Sequence, residues 1–416
     1  MMKTNMQFRR NVLGQVAPRG AVCYFLGAGF SRALNDDYPT ARCFFMRDMP
    51  FLEQVGAGVE RRIVRYDGVS RDLRGLLDRI EQQYGPLEGL DVEQVMTDLY
   101  VRAFGLGQAW ERAIPVADTP LTVSELRRDY QALLTYVGDR LRNIDATLER
   151  YPLGERFVRA LLPRDSVLTL NYDTLVERHL DSKDKAERLR RLQNAIGPPV
   201  SGRLDRPAPM FRGRAPGERG IFAKLHGSID WITCPNENCP NHHYIQTISQ
   251  YYPAKEEGPR FPGMNKAHCN TCGWSPEIVI VPPTAAKPFE RFSKLNVMWS
   301  QAHEALRQAQ RWVFIGVSFA ATDFHLSALL RAASRDAGAF RGRRRHVGQI
   351  CIVNKDIDAA RDVKERLLSA LSPQAQQCVT ADANRIVLFE SLEQYLDTVE
   401  EVDANRKDDS GADAQA

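Results

Sequence analysis

The sequence has no apolar run of 18 or more residues, so no transmembrane helix is expected. Its first residues, MMKTNMQFRRNVLG, lack the apolar core and small-residue cleavage site of a secretory leader, so the expected location is the cytoplasm. Cysteine is scarce, with eight in 416 residues, too few for a disulfide scaffold. Excess charge of one sign is also missing. The 56 Lys and Arg stand against 52 Asp and Glu, and a net +4 is no nucleic-acid footprint. No internal repeat is visible. What is present is ordinary for a folded chain: 43% hydrophobic and 26% charged residues exclude a mainly disordered or fibrous protein. The length suggests two or three domains, or one large domain with insertions.

The run Ala21-Val-Cys-Tyr-Phe-Leu26 closes on Gly27-Ala28-Gly29-Phe30-Ser31. A short continuous apolar run followed by a glycine turn reads as a buried parallel strand. Similar runs recur at Val167–Asn171, Ile278–Val281, Trp312–Gly316, Ile350–Asn354 and Ile386–Phe389. Helical patterns over 291–311, 323–336 and 356–371 separate the later ones. The expected fold class is therefore α/β: a Rossmann-like parallel sheet with helices on both faces.

Two regions interrupt this rhythm. Residues 41–162 carry helical periodicity, for example Leu126, Tyr130, Leu133, Leu134, Val137 and Leu141, with almost no strand signal. They read as an inserted helical module, which would offer a surface for a homo-oligomer. Residues 228–277 hold four of the cysteines and little periodicity, and read as a small module that a metal would hold together. Segments 1–40 and 163–402 are left for the sheet domain. Residues 198–220 are rich in Pro, Gly and Arg and read as a mobile loop. Residues 403–416 are polar and read as a disordered tail.

Several motifs carry chemistry. The glycine turn could bring backbone N–H groups to a phosphate, or be a plain strand-to-helix turn. Asn171 and Asp173 close the strand Leu168-Thr-Leu-Asn-Tyr-Asp, where polar groups face the ligand crevice of an open sheet. Asp173 could equally cap the following helix. His226, in Lys224-Leu-His-Gly-Ser228, suits a general base of near-neutral pKa. Cys234-x4-Cys239 and Cys269-x2-Cys272 fit a structural zinc site of four thiolates, with His242, His243 and His268 as possible replacement ligands. Gly316-Val-Ser318, with Asp323 after it, opens another strand-end turn. Asn354 and Asp356 end the next strand, suiting dinucleotide hydroxyls or capping a helix. The basic run Arg341–Arg345 reads as a solvated loop.

In this order, the glycine turn, Thr169-x-Asn171-x-Asp173, His226-Gly227, the cysteine pairs, Gly316-x-Ser318 and Val353-Asn354 resemble the sirtuin family over about residues 20–360. The resemblance implies a Rossmann-like fold with a zinc module and NAD as ligand. It implies that Gly27, Ala28, Gly29, Phe30, Ser31, Gly316 and Ser318 hold the dinucleotide phosphates, and that Asn354 holds the adenosine ribose. Asn171 and Asp173 would lie by the nicotinamide ribose, with His226 as catalytic base. The Phe-Arg-Ser stretch of the protein-deacylating members is missing after the glycine turn, where Ala33-Leu-Asn-Asp-Asp-Tyr-Pro-Thr40 stands. With the helical insert, the layout is more similar to bacterial sirtuin-like antiphage effectors. Those hydrolyse NAD to nicotinamide and ADP-ribose, some with a HerA-type hexameric ATPase as partner. A protein deacylase and a non-catalytic NAD or ADP-ribose sensor are the rival functions.

Overall fold

The computed structural model describes residues 21–36, 38–41, 44–45, 51–54, 61–64, 71–105, 122–147, 151–162, 164–180, 220–243, 246–247, 269, 271–274, 276–281, 293–319, 323–336 and 348–412. Strand β1 (Val22–Leu26) leads into helix α1 (Ala28–Leu34). An antiparallel pair, β2 (Phe51–Gln54) and β3 (Arg61–Val64), precedes α2 (Arg71–Tyr84), α3 (Val92–Tyr100), a π-helical turn (Val101–Gly105), α4 (Val123–Thr147) and α5 (Pro152–Ala160). Then come β4 (Ser166–Thr169), α6 (Leu175–Leu180), β5 (Phe222–Lys224), β6 (Gly227–Thr233), β7 (Gln246–Thr247) and β8 (Glu277–Ile280). The chain closes with α7 (Ser293–Gln308), β9 (Arg311–Ile315), α8 (Phe324–Asp336), β10 (Gln349–Val353), α9 (Ile357–Ala370), α10 (Pro373–Thr380), β11 (Ile386–Phe389) and α11 (Leu392–Ala412).

Six strands form one sheet in the order β11-β10-β9-β1-β4-β5, parallel throughout. Numbered by their succession in the chain, they run 6-5-4-1-2-3. That is the order of a doubly wound sheet, whose direction of winding reverses between the first and fourth strands, here β1 and β9. The apolar runs are continuous because both faces are covered. Within β1, Tyr24 and Leu26 join a core with α2, α3, α4, α5 and α11, while Cys23 and Phe25 join a second core with α7, α8 and α9. Side chains alternating across a strand send neighbours into opposite layers.

The helix starts follow local chemistry. At α4, the Thr122 hydroxyl accepts the Glu125 N–H (3.3 Å) and the Glu125 carboxylate accepts the Thr122 N–H (2.8 Å), a reciprocal capping box. Ser372 caps α10 by accepting the Ala375 N–H, ahead of Pro373 in the first turn. Asp356 caps α9 through the Ala359 N–H at 2.7 Å.

Three expectations need correction. Ile278–Val281 is not a strand of the parallel sheet: β8 pairs antiparallel with β6 in a separate three-stranded sheet, β7-β6-β8. Its apolar run signalled burial, which says nothing of the partner strand. The region 41–162 is not helix alone, since it carries the β2–β3 pair. The segment expected to be disordered from 403 continues as helix α11 to Ala412. The loop 198–219, the run Arg341–Arg345, His268, the side chain of His243 and residues 413–416 lie outside the described residues. No helix among the described residues is long and apolar enough to cross a membrane.

Candidate functional site

The carboxyl ends of the parallel strands carry the polar residues singled out from the sequence. In the β4–β5 ladder Thr169 lies beside Lys224. Asn171 and His226 each stand two residues beyond those partners. Adjacent strands are about 4.8 Å apart, so the two segments leave the sheet side by side.

Asn171 Nδ2 donates to the Gly27 carbonyl and to the Ser31 hydroxyl, both at 2.9 Å. The Ser31 hydroxyl in turn donates to Asp173 Oδ2 at 2.6 Å. One short network thus joins the glycine turn, the first turn of α1 and the end of β4. The other Asp173 oxygen accepts the Leu175 N–H at the start of α6 (3.2 Å). The Asp173 carboxylate thus caps α6 and also joins this network.

His226 is buried, at 2% exposure. Its ring lies between Tyr172 (centroids 6.4 Å apart) and Trp299 (6.1 Å). Trp299 Nε1 donates to the Leu225 carbonyl at 3.0 Å, and the Tyr172 hydroxyl to the Val281 carbonyl at 3.0 Å. The His226 carbonyl accepts the Val281 N–H at 2.8 Å. Gly227 follows with φ at +86°, and a Cβ there would sit 2.0 Å from the Val279 carbonyl oxygen. Only glycine allows the chain to turn from β5 of the large sheet into β6 of the small one.

The two glycine turns meet at the winding reversal. Gly27 N–H donates to the Ile315 carbonyl and Gly29 N–H to the Gly316 carbonyl, both at 3.0 Å. Phe30 N–H donates to the Gly27 carbonyl at 2.9 Å, and its ring packs on Phe157 in the core, 5.0 Å between centroids. These amides therefore have protein partners, and the glycines serve the contact between the β1 and β9 turns. Ala28 and Ser318 are exposed on those turns, and the Ser318 carbonyl accepts from Arg366 at 3.0 Å. Asn354 stands two strands from β1. Its N–H donates to the Phe389 carbonyl (3.2 Å) and its side-chain oxygen accepts the Lys355 N–H (2.8 Å). Asp323, 5% exposed, caps α8 through the Leu326 N–H at 3.4 Å. The structure thus brings Asn171, Asp173, Ser31 and the glycine turn together, sets His226 on the neighbouring strand end, and leaves Asn354 further along the sheet edge.

The four cysteines converge on one point. Their sulfurs all lie within 4.8 Å of one another, with Cys234 to Cys272 at 3.4 Å and Cys239 to Cys269 at 3.7 Å. A tetrahedral zinc with four bonds of about 2.3 Å needs sulfurs about 3.8 Å apart, so the donor set fits zinc. Asn241 Nδ2 lies 3.3 Å from the Cys269 sulfur, an amide donor suited to a thiolate. His242 is no replacement ligand through Nδ1, which is bonded to the Cys234 carbonyl at 2.8 Å.

Sequence reasoning missed Lys224, which is 2% exposed. Its ammonium donates to the Asp173 carbonyl, reaches the Tyr172 carbonyl at 3.5 Å and pairs with Glu177 at 2.7 Å. Burial pulls the Lys224 pKa down, but the Glu177, Asp230 and Asp173 carboxylates outweigh it and hold the group charged. Burial pushes the Glu177 carboxyl up to about 7, with Lys224 pulling it back. A lysine inside the apolar strand Phe222-Ala-Lys224 was the available signal, since a buried ammonium needs partners.

No family model matches the chain, and no curated protein does. Solved structures do. One, on the mechanism and regulation of Sir2 enzymes, overlaps at TM-score 0.40 and 14% identity, covering 97% of this chain and 98% of that one. Another, on sirtuin substrate affinity, gives 0.39 and 12%, covering 94% and 96%. Sir2Tm bound to a propionylated peptide gives 0.39 and 11%, covering 97% and 98%. Overlap this loose decides nothing about the chain, whose architecture stands on its own sheet order.

Proposed function

We propose that the protein is a sirtuin-like NAD hydrolase, cleaving the bond between nicotinamide and ribose C1′ to give nicotinamide and ADP-ribose. The observation that carries this reading is the matched register of Asn171 and His226 at the ends of adjacent parallel strands, with Ser31 and Asp173 tied to Asn171. As the bond breaks, positive charge builds on the ribose. Asp173 is the carboxylate set to stabilise that charge or to hold the nicotinamide amide. Asn171 positions the attacking water or the ribose, and His226 takes the proton that water or a ribose hydroxyl gives up. The exposed turns at Ala28 and Ser318, beside Gly27, Gly29, Phe30, Ser31 and Gly316, are assigned to the phosphates, and Asn354 to the adenosine ribose.

In the cell, this activity fits an antiphage effector that depletes NAD, assembled as a homo-oligomer and with a HerA-type ATPase as partner. The missing Phe-Arg-Ser stretch favours water over an acyl-lysine oxygen as nucleophile. A protein deacylase is the second reading. It is favoured by the position of His226 at the junction of the large and small sheets, where a peptide cleft would lie.

The test is to follow NAD, nicotinamide and ADP-ribose over time with the purified protein, alone, with the ATPase, and with acyl peptides. The hydrolase reading expects NAD loss without peptide. His226→Ala and Asn171→Ala should each reduce it about 10²- to 10⁴-fold with an unchanged circular dichroism spectrum. NAD loss that needs an acyl peptide would make the protein a deacylase. Tight NAD binding without turnover under every condition would make it a sensor.

A further inference from the structure

The segment Asn171-Tyr172-Asp173 is gripped by residues on both sides of His226 in sequence. From before it, Lys224 Nζ donates to the Asp173 carbonyl and reaches the Tyr172 carbonyl. From after it, the Ile229 N–H (2.9 Å) and the Ser228 hydroxyl (3.3 Å) approach the same Tyr172 carbonyl. The Ser228 hydroxyl also lies 2.5 Å from Asp230 Oδ1. Glu177, on the helix that Asp173 caps, supplies the counter-charge at 2.7 Å. A buried ammonium needs more than one acceptor, and these are backbone carbonyls that cannot swing away. The cation is thereby locked between the strand that presents His226 and the loop that presents Asn171 and Asp173.

We propose that Lys224 is a positioning residue. Its ammonium clamps the Tyr172–Asp173 peptides to β5, and so sets the spacing between Asn171 and His226 across the reacting sugar. The idea that a reaction depends on this spacing rests on the hydrolase reading, whereas the clamp itself does not. Misplacing a reacting group by about 1 Å is enough to cost on the order of 100-fold in rate.

The informative variant is Lys224→Met with Glu177→Gln, which removes both partners of this ion pair together. Two readouts separate the claims. The first is steady-state NAD hydrolysis. The kcat should fall about 10- to 100-fold while KM for NAD stays within about threefold, since the clamp holds Asp173 by its backbone carbonyl and touches no side chain assigned to NAD. The second is amide hydrogen exchange of the full chain. The Ile229 and Leu175 amides, bonded to the Tyr172 carbonyl and the Asp173 carboxylate, should exchange faster, with the Cys23–Leu26 amides of β1 unchanged. Wild-type protection at Ile229 and Leu175 overturns the clamp. Faster exchange with unchanged kcat overturns the positioning role. Faster exchange in the variant of a wild-type protein that never consumes NAD supports the clamp and sinks the hydrolase reading instead. Should the double variant not fold, Lys224→Gln is read by the same two amides.

Discussion

Asp165 shows how much one buried carboxylate can govern. Its oxygens accept the Val22 N–H at 3.0 Å and the Leu162 N–H at 2.8 Å, tying β1 to the loop before β4. Burial pushes its pKa from 3.8 up to about 6, and the two amides only partly pull it back. A raised acid pKa means that the folded state holds the proton more tightly than the unfolded chain. Stability from this group is therefore full below about pH 4, falls as pH rises from about 4 to about 6, and is level above. Urea midpoints of wild type and Asp165→Asn, measured from pH 4 to 7, should show the wild-type advantage shrinking over that window. A difference independent of pH would mean that Asp165 titrates normally. At this scale the sequence was partly readable. Asn171, Asp173 and His226 stand out because polar groups end apolar strands. The ring of Phe30, in the same turn, packs into the core against Phe157, which its place beside the glycines did not reveal. Lys224 drew attention only as a neighbour of His226, because one charge in a short strand gives no sign of its partners.

The elements were legible where periodicity and burial agree. β1, β4, β9, β10 and β11 lie where continuous apolar runs placed them, and α8 and α9 match their expected helices to within a residue or two. β8 was misassigned because four apolar residues look the same in a parallel sheet and in a small antiparallel one. β2 and β3 were missed because FLEQ and RRIV lack any long strand signature. The contact between the two glycine turns yields an element-scale prediction. Gly316 has φ at +61°, and a Cβ there would lie 2.3 Å from the Gly29 carbonyl carbon. Gly89 has φ at +78° with nothing within 4 Å of the same position. Gly89→Ala should cost only the left-handed backbone term, about 1–2 kcal/mol. Gly316→Ala should cost clearly more, because β1 and β9 must part to make room. Equal unfolding midpoints for the two variants would remove the close packing as the reason for glycine there.

Across the whole molecule, the four cysteine sulfurs draw separate parts of the chain to one point. Cys234 and Cys239 follow β6, while Cys269 and Cys272 precede β8, so a metal held by them would close the open end of the β6–β8 pair. The purified protein should carry about one zinc per chain. Stripping it with a chelator should lower the melting temperature by about 5 °C or more, each kcal/mol being worth about 2–4 °C in a domain of this order. Re-addition of zinc should restore it. An unchanged melting curve after complete metal removal would show that the small sheet stands without it. The cysteine spacing made this module legible from sequence alone, because a tetrahedral shell has few alternatives. What joins it to the large sheet was not legible, because a His-Gly pair looks the same wherever two strands meet.

That join has a mechanical meaning. Only Leu225 and His226 separate β5 from β6, so the imidazole is seated on the seam between the two sheets rather than on the floor of either one. In the proposed hydrolase, whatever grasps or releases the four-cysteine corner of the small sheet would therefore bear on proton transfer at that ring.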